Sequence, residues 1–298
     1  MKSLKLAEKR HSVREYKHKK LSEADRQYLD HLLIEKPSIA HTSSMEFHFV
    51  EDGYEMAPLL EGVAGYFGMM IEAPHYYAVL CDKESVCCKL VGYVGEWIIL
   101  NALKEDIGTC WLEVINSDEV KSILNIESPK EVAALIAIGY AKKERQMSSI
   151  YATTGSGSLS SLTDLGYPNI EPYNQKGPAS YRKPITELVY LNEWGNTPEI
   201  EELERMGIHE ALFYMRLAPS YGNRQPWLFM IKNNQIDLII EETDLIAKIV
   251  QCIDAGIAMF YFEVGLHDIG IKGSWSLSDF APDYEIPEGY KIVGRYEF

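Results

Sequence analysis

Two long apolar stretches limit what this 298-residue chain can fold into. "YVGEWIILNALKEDIGTCW" (93–111) and "DAGIAMFYFEVGLHDIGIKGSW" (254–275) are apolar almost all round a helical wheel. Such a helix must be covered on every side, yet each is too short between charges to span a bilayer, so the pattern predicts helices buried in a core or a subunit seam. The two also share a layout: a glycine near the start (Gly95, Gly256), the helix, then Asp-Ile-Gly (106–108, 268–270) and a tryptophan (Trp111, Trp275). A second match agrees. "PSIAHTSSMEFHFV" and "PSYGNRQPWLFMI" keep Pro, Ser and Phe in step without a gap, Pro37 with Pro219 and Phe47 with Phe229, 182 positions apart. Together they predict two copies of one unit fused in a single polypeptide, equivalent to a homodimer with its two-fold axis inside the chain.

Around these stretches the periodicity predicts a helix over 22–34, begun by a capping box of Ser22 and Asp25. It predicts strands at 46–50, 76–80, 131–138, 227–231, 236–240 and 291–296. The fold class expected is α+β, with two pseudo-symmetric units, 1–190 and 191–298, each a mixed or antiparallel sheet flanked by helices, and the second shortened. Between them 148–180 is rich in Ser, Gly, Thr, Asn and Pro and reads as a linker or surface excursion, a flap over an active site being the sharper alternative. Its "GSGSLS" lacks the Lys-Ser/Thr that a phosphate loop needs.

Charge and cysteine content exclude several function classes. A net charge of −15 leaves no basic stripe for nucleic acid. The positive residues gather at Lys9, Arg10, Arg14, Lys17, Lys19 and Lys20, and again at 142–145 and 182–183, as they would to hold one small anion. Five cysteines without a CxxC pair predict reduced thiols, without a structural disulfide or metal site. The charged N-terminus is unlike a signal peptide, so a cytoplasmic protein with no membrane partner is expected.

Two short motifs carry candidate chemistry. In "RHSVREY", Arg10, His11, Ser12 and Arg14 present planar forks and small donors that suit a phosphate and the polar edge of a ring, although the same letters also suit a solvated basic segment. "RKP" at 182–184 can add a second fork. In "RLAPSYGNRQPW", Pro219 and Ser220 stop a helix, Gly222 and Asn223 tolerate unusual backbone angles, and Asn223 and Gln225 carry amides that can meet a heteroaromatic edge. There is no HExxH and no nucleophile–base pair.

In order and spacing these pieces resemble the FMN-dependent nitroreductase superfamily, and within it the nitroreductases with two half-units fused in one chain. The resemblance runs through "GYVGEWIILNALKEDIGTCWLE", "AALIAIGYA", "YRKPITELVY" and "DAGIAMFYFEVG" as well as the two motifs. It implies a nitroreductase-like fold with FMN in the seam between units. Arg10, His11, Ser12 and Arg182 would touch phosphate and ribityl, and Arg14 the pyrimidine edge. Pro219, Ser220 and Asn223 would approach the ring from the second unit with Gln225 beside them, and the backbone of Trp111, Leu112 and Glu113 would reach its reactive nitrogen edge.

The resemblance further implies ping-pong electron transfer from NAD(P)H through FMN to a nitroaromatic, a quinone or a similar acceptor, with no catalytic side chain. The alternatives are a non-enzymatic flavin-binding or sensing protein and a flavoenzyme of the same fold with another reaction, such as reductive dehalogenation or flavin destruction. By the 182-residue offset, His41, Ser43 and Met45 replace Asn223, Gln225 and Trp227, while Asn192, Trp194 and Asn196 replace Arg10, Ser12 and Arg14. One FMN per chain and a monomer are therefore expected. "GYA" stands where the family commonly has GYP, so the substrate-pocket walls do not transfer.

Overall fold

The computed structural model describes residues 3–37, 39, 45–82, 85–142, 182–277, 280 and 282–298. The 148–180 stretch, and with it the question of a flap, lies outside the described residues, as do His41 and Ser43. After α1 (Ser3–Lys9), α2 (Glu23–Ile34) begins at the predicted cap, where the Asp25 N–H donates to Ser22 Oγ at 3.1 Å.

The first sheet contains β1 (Glu46–Val50), β2 (Ala64–Gly65), β3 (His75–Cys81), β4 (Ile107–Val114) and β5 (Glu131–Tyr140) in the order β1-β3-β5-β4-β2, every pair antiparallel. On one face α3 (Gly53–Leu60) and α5 (Ser117–Leu124) bury Ala57, Leu60 and Val120 against Tyr76, Ala78 and Leu135. On the other, α4 (Ser85–Ala102) packs against Tyr77, Val79 and Ile136. Both faces are covered, which is why β3 reads as the continuous apolar run HYYAVLC.

The second sheet contains β6 (Val189–Leu191), β7 (Trp227–Lys232), β8 (Gln235–Glu241), β9 (Ser274–Ser276) and β10 (Tyr290–Glu297) in the order β6-β7-β8-β10-β9. With it go α6 (Ile200–Arg205), α7 (His209–Arg216) and α8 (Lys248–Asp268). The six expected strands all fall within strands. The protein is α+β, and its two sheets share a plan: β1-β3-β5-β4 and β7-β8-β10-β9 are the same order by rank along the chain.

The register repeats as well. Phe47 faces Val79, which faces Ala134; Phe229 faces Leu238, which faces Gly294. Trp111 faces Ile136 and Trp275 faces Tyr296, and those partners face Tyr77 and Ile236 in turn. The two phenylalanines 182 positions apart, and the two tryptophans, thus occupy matching places.

The seam is made by α4 and α8, which cross at reciprocal glycines. A Cβ on Gly92 would lie 2.0 Å from the Ile253 carbonyl oxygen, and one on Gly256 1.8 Å from that of Lys89. The partner of Gly256 is therefore Gly92 and not Gly95, whose missing side chain is replaced by the Trp111 indole, 2.3 Å from where a Cβ would stand.

Neither apolar stretch is helical to its end. After α4, a 3-10 turn (Leu103–Glu105) and a left-handed Asp106 (φ 55°) lead into β4, which carries Trp111. After α8 the left-handed residue is Gly270 (φ 83°), so the repeated Asp-Ile-Gly does different work in each copy. Val86–Glu105 and Lys248–Asp268 have the length and hydropathy of a membrane span, but 78% of each apolar window is buried inside the fold. The expected division at 190 falls inside β6, whose pairing is with β7 of the second sheet.

Candidate functional site

The first half of the site is the segment after α1. Its backbone is laid along β4 and β5, Val13 N–H donating to the Thr109 carbonyl at 2.9 Å and Lys17 N–H to that of Tyr140 at 2.8 Å. Gly108 makes room for this, since a Cβ there would meet the Val13 side chain at 2.8 Å. Buried Val13 and Tyr16 anchor the segment. Arg10 then enters the core, where its Nε lies 2.9 Å from Glu96 Oε1, with the two side chains only 6% and 0% exposed.

Glu96 is the hub of this region. Its Oε1 also accepts from the Tyr261 hydroxyl at 3.1 Å, and its Oε2 accepts from Trp111 Nε1 at 2.8 Å. Burial pulls the Arg10 pKa down, but Glu96 and, less strongly, Tyr261 and Cys110 more than offset that and leave it raised. Arg10 Nη1 reaches Ser12 Oγ at 3.3 Å, while its buried Nη2 has no partner among the described residues.

Two further arginines arrive from the far side of the sequence. Arg182 donates to the Ala218 carbonyl, and Arg216 grips the carbonyls of Lys183 (2.7 Å) and Arg182 (3.2 Å). Burial, then the Arg10 charge, with Arg216 adding to it, pushes the Arg182 pKa down to about 10. Buried positive charge is thus concentrated in a chain whose net charge is −15.

The turn after α7 forms the second half. Ser220 Oγ accepts from the Gln225 N–H at 2.9 Å, and Gly222, Asn223 and Gln225 all have positive φ (58°, 55° and 48°), so the turn requires the glycine and asparagine noted in the sequence. Both oxygens of Asp254, on α8, accept from the Tyr221 N–H at 3.1 Å. Burial raises this carboxyl to about 8, opposed by the Tyr221 N–H and by Arg224.

An aromatic bridge joins the halves. The Arg14 guanidinium sits 4.7 Å over the Tyr66 ring; Tyr66 meets Phe67 at 4.6 Å, and Phe67 meets Tyr221 at 4.8 Å. Glu113 also touches Tyr221, and burial raises its pKa. Along β4, the Thr109 carbonyl and the Ile115 N–H both point to the strand edge that carries Val13 and Val63. By the two-residue alternation of a strand, the main chain of Trp111 faces that same edge, while its indole is turned inward to Glu96.

The expected residues are therefore placed unequally. Arg10, Ser12 and Arg182 gather with Arg216, Arg14 lies over Tyr66 and near Cys110, and Pro219, Ser220 and Asn223 lie in the adjoining turn. His11 is exposed, its Nδ1 3.0 Å from the Lys9 carbonyl. Gln225 is fully buried and serves as a brace: its Oε1 accepts from Lys183 N–H (2.7 Å), its Nε2 donates to the Arg216 carbonyl (3.1 Å), and its own carbonyl accepts from Lys183 Nζ (2.9 Å). Asn192 to Asn196 are not the counterparts of Arg10 to Arg14. They follow β6 beside β7, with Asn192 N–H on the Ile231 carbonyl, whereas Arg10 to Arg14 run beside β4.

Glu96, Tyr261, Asp254, Arg216 and the Tyr66–Phe67 pair were not singled out from the sequence. A signal was present for Glu96 and Asp254, each a carboxylate inside an otherwise apolar helix, where an acid is retained only if something pairs with it.

The sequence profile of the family described as "Putative TM nitroreductase" matches residues 3–266. The chain belongs to this nitroreductase family. Among curated proteins none matches it. Among solved structures, one described as a "putative nitroreductase" from Thermotoga maritima MSB8 is 18% identical, with a TM-score of 0.56 over 99% of this chain and 93% of that one. That likeness bears on the nitroreductase fold. An FMN-dependent nitroreductase from Clostridium difficile R20291 (21% identity, TM-score 0.43) covers 52% of this chain and 99% of its own. A "putative NADH oxidase" from Clostridium acetobutylicum (24% identity, TM-score 0.40) covers 46% and 88%.

Proposed function

We propose that this nitroreductase-family protein is an FMN-dependent NAD(P)H oxidoreductase with a single composite site per chain. The observation that carries the reading is the half-buried arginine cluster drawn from distant parts of the sequence, with Arg10 Nη2 buried and unpartnered among the described residues. Such a donor, beside Arg182 and Arg216 and held by Glu96, suits the dianionic phosphate of a flavin mononucleotide. Ser12 adds a hydroxyl donor. Arg14 supplies positive charge at the pyrimidine edge, and Ser220 and Asn223 bring their turn to the ring. The Trp111 main chain, on its open strand edge, provides an N–H for the reactive nitrogen side. When bound, FMN supplies two-electron transfer, taking a hydride from reduced nicotinamide and passing electrons to a nitroaromatic, quinone or similar acceptor. The protein's part is to bind, orient and tune it.

The single site follows from an internal duplication, which the matched strand orders and registers support. The offset of 164 residues that takes Gly92 to Gly256 and Trp111 to Trp275 takes Gly95 to Met259 and Glu96 to Phe260. The second copy thus has an apolar ring where the first has its carboxylate. With both units in one chain, a monomer is the simplest state.

The experiment is an absorbance titration of the purified chain with FMN, followed by NADH and NADPH oxidation with and without a quinone. Saturation at one FMN per chain, weakened at least tenfold in Arg10→Ala and Arg182→Ala, is expected, with acceptor-dependent turnover. Saturation at two would break the single-site reading. Tight binding without turnover would indicate a flavin-binding or sensing protein, and no binding at all would refute the assignment.

A further inference from the structure

Away from the arginine cluster, four of the five cysteines collect where β3 passes into α4 and where α8 begins. Cys81, the last residue of β3, and Cys88, the fourth residue of α4, have their sulfurs 3.5 Å apart. Cys87 is also within hydrogen-bond reach of Cys81, and Cys252 on α8 lies close enough to Cys88 for their charges to interact. Among the described residues no group of three or more His, Cys, Asp or Glu side chains is arranged to hold a metal ion. None of the five cysteines is in a disulfide.

We propose that Cys81 and Cys88 form a redox-active dithiol that closes reversibly to a disulfide when the protein meets hydrogen peroxide. The inference is independent of the flavin reading. Their sulfurs are already in contact at 3.5 Å, a short approach from the ~2.05 Å of a disulfide. Cys87 is the competing partner, since it too lies within hydrogen-bond reach of Cys81, and peptide mapping separates the two.

The two thiols have distinct roles. With the Cys81 thiol as donor in the hydrogen bond the two sulfurs share, the Cys88 pKa is lowered, and Cys88 sits near the N-terminal end of α4, where the helix dipole also favours a thiolate. The hydrogen bonds to Cys87 and Cys88, and then burial, hold Cys81 protonated. Cys88 thiolate attacks one peroxide oxygen, the O–O bond breaks, and the departing hydroxide takes up a proton to leave as water, giving Cys88 sulfenic acid. The Cys81 sulfur then attacks the Cys88 sulfur, its thiol proton going to the departing hydroxyl as a second water. Two thiols and one peroxide thus become one disulfide and two waters. The pair is buried but shallow, since neighbouring Asp82 is exposed and Val86 is 38% exposed.

The test treats the folded full-length chain with graded hydrogen peroxide, blocks remaining thiols with N-ethylmaleimide under denaturing conditions, and maps tryptic peptides. Cleavage after Lys83 and Lys89 separates Cys81 from "ESVCCK", so a bridge appears as two linked peptides, and fragmentation distinguishes Cys87 from Cys88. The expected result is a dose-dependent Cys81–Cys88 link, reversed by dithiothreitol, lost in Cys88→Ser and kept in Cys252→Ser. Should Cys88→Ser fail to fold, the wild-type map decides alone. A bridge to Cys87 or Cys252, irreversible oxidation of Cys88 with Cys81 still alkylated, or no change in the folded chain would each overturn the proposal.

Discussion

Trp111 and Trp275 occupy equivalent places in two sheets of the same plan, yet their surroundings diverge. Trp111 lies on Gly95 and donates its indole N–H to the Glu96 carboxylate, which also holds Arg10 and Tyr261. Trp275, sixteen residues after Met259 just as Trp111 is after Gly95, donates to the Met259 carbonyl at 3.2 Å. It stacks edge-on with Phe262 and Tyr296 at 5.9 and 5.2 Å. One side of the seam carries an acid that holds a buried cation, and the other is ordinary aromatic core. The scaffold tolerates both because the strand pairing and the glycine crossing, not the seam's polar groups, set the geometry.

The largest effect should come from exchanging what distinguishes the two sides. Glu96→Phe puts the second copy's residue into the first and leaves Arg10 buried without its counter-charge, a loss of about 3–5 kcal/mol for a broken buried pair. Denaturant unfolding should show that loss, and FMN uptake should fail with it. Glu96→Phe combined with Arg10→Leu should recover much of the stability while leaving FMN uptake abolished. If the double variant is no more stable than the single, burial of the unpaired arginine is not the cause.

The seam glycines test the opposite claim, that the two copies are mechanically alike. Gly92→Ala and Gly256→Ala each drive a methyl group into a facing helix carbonyl, and since helix backbones must separate to accept it, each should lose about 2–3 kcal/mol. The two losses should agree within about 0.5 kcal/mol. A large inequality would mean that the crossing is less symmetric than its contacts, and Gly95→Ala, which displaces the Trp111 indole, provides a third point affecting the first copy only.

Much of this fold is written in the chain because its strands are apolar on one or both faces and end at clear turns, so all six expected strands fall in place. The shared plan of the two sheets was readable from Phe47 and Phe229, since strand register preserves spacing. It was misread at Gly95, because a glycine's reason for being there is the atom it faces, which one sequence does not name. Arg10 to Arg14 and the Pro219 to Gln225 turn were legible as motifs. Their connection through Tyr66, Phe67 and Tyr221 was not, since it is made by tertiary contacts between residues that are unremarkable alone. Gln225 shows the same limit: its amide looked like a ligand donor, and it is consumed in bracing Lys183 to Arg216.

The smallest effect, taken per pH unit, is one of protonation and again separates the two sides, because Asp254 on α8 corresponds by the 164-residue offset to Leu90 on α4. With a folded pKa of about 8 against roughly 3.9 in the unfolded chain, Asp254 keeps its proton when folded and releases it on unfolding throughout the interval between. Its contribution is fully present below about pH 4 and is lost as pH rises through about 8, at no more than about 1.4 kcal/mol per pH unit. Asp254→Asn cannot ionise and should remove this slope from the stability profile between about pH 4 and about pH 8. Leu90→Asn, which puts an amide at the other copy's position, should leave the slope intact while lowering stability uniformly. Parallel profiles for wild type and Asp254→Asn would show that Asp254 is ionised in the folded protein, with the Tyr221 N–H and Arg224 outweighing its burial.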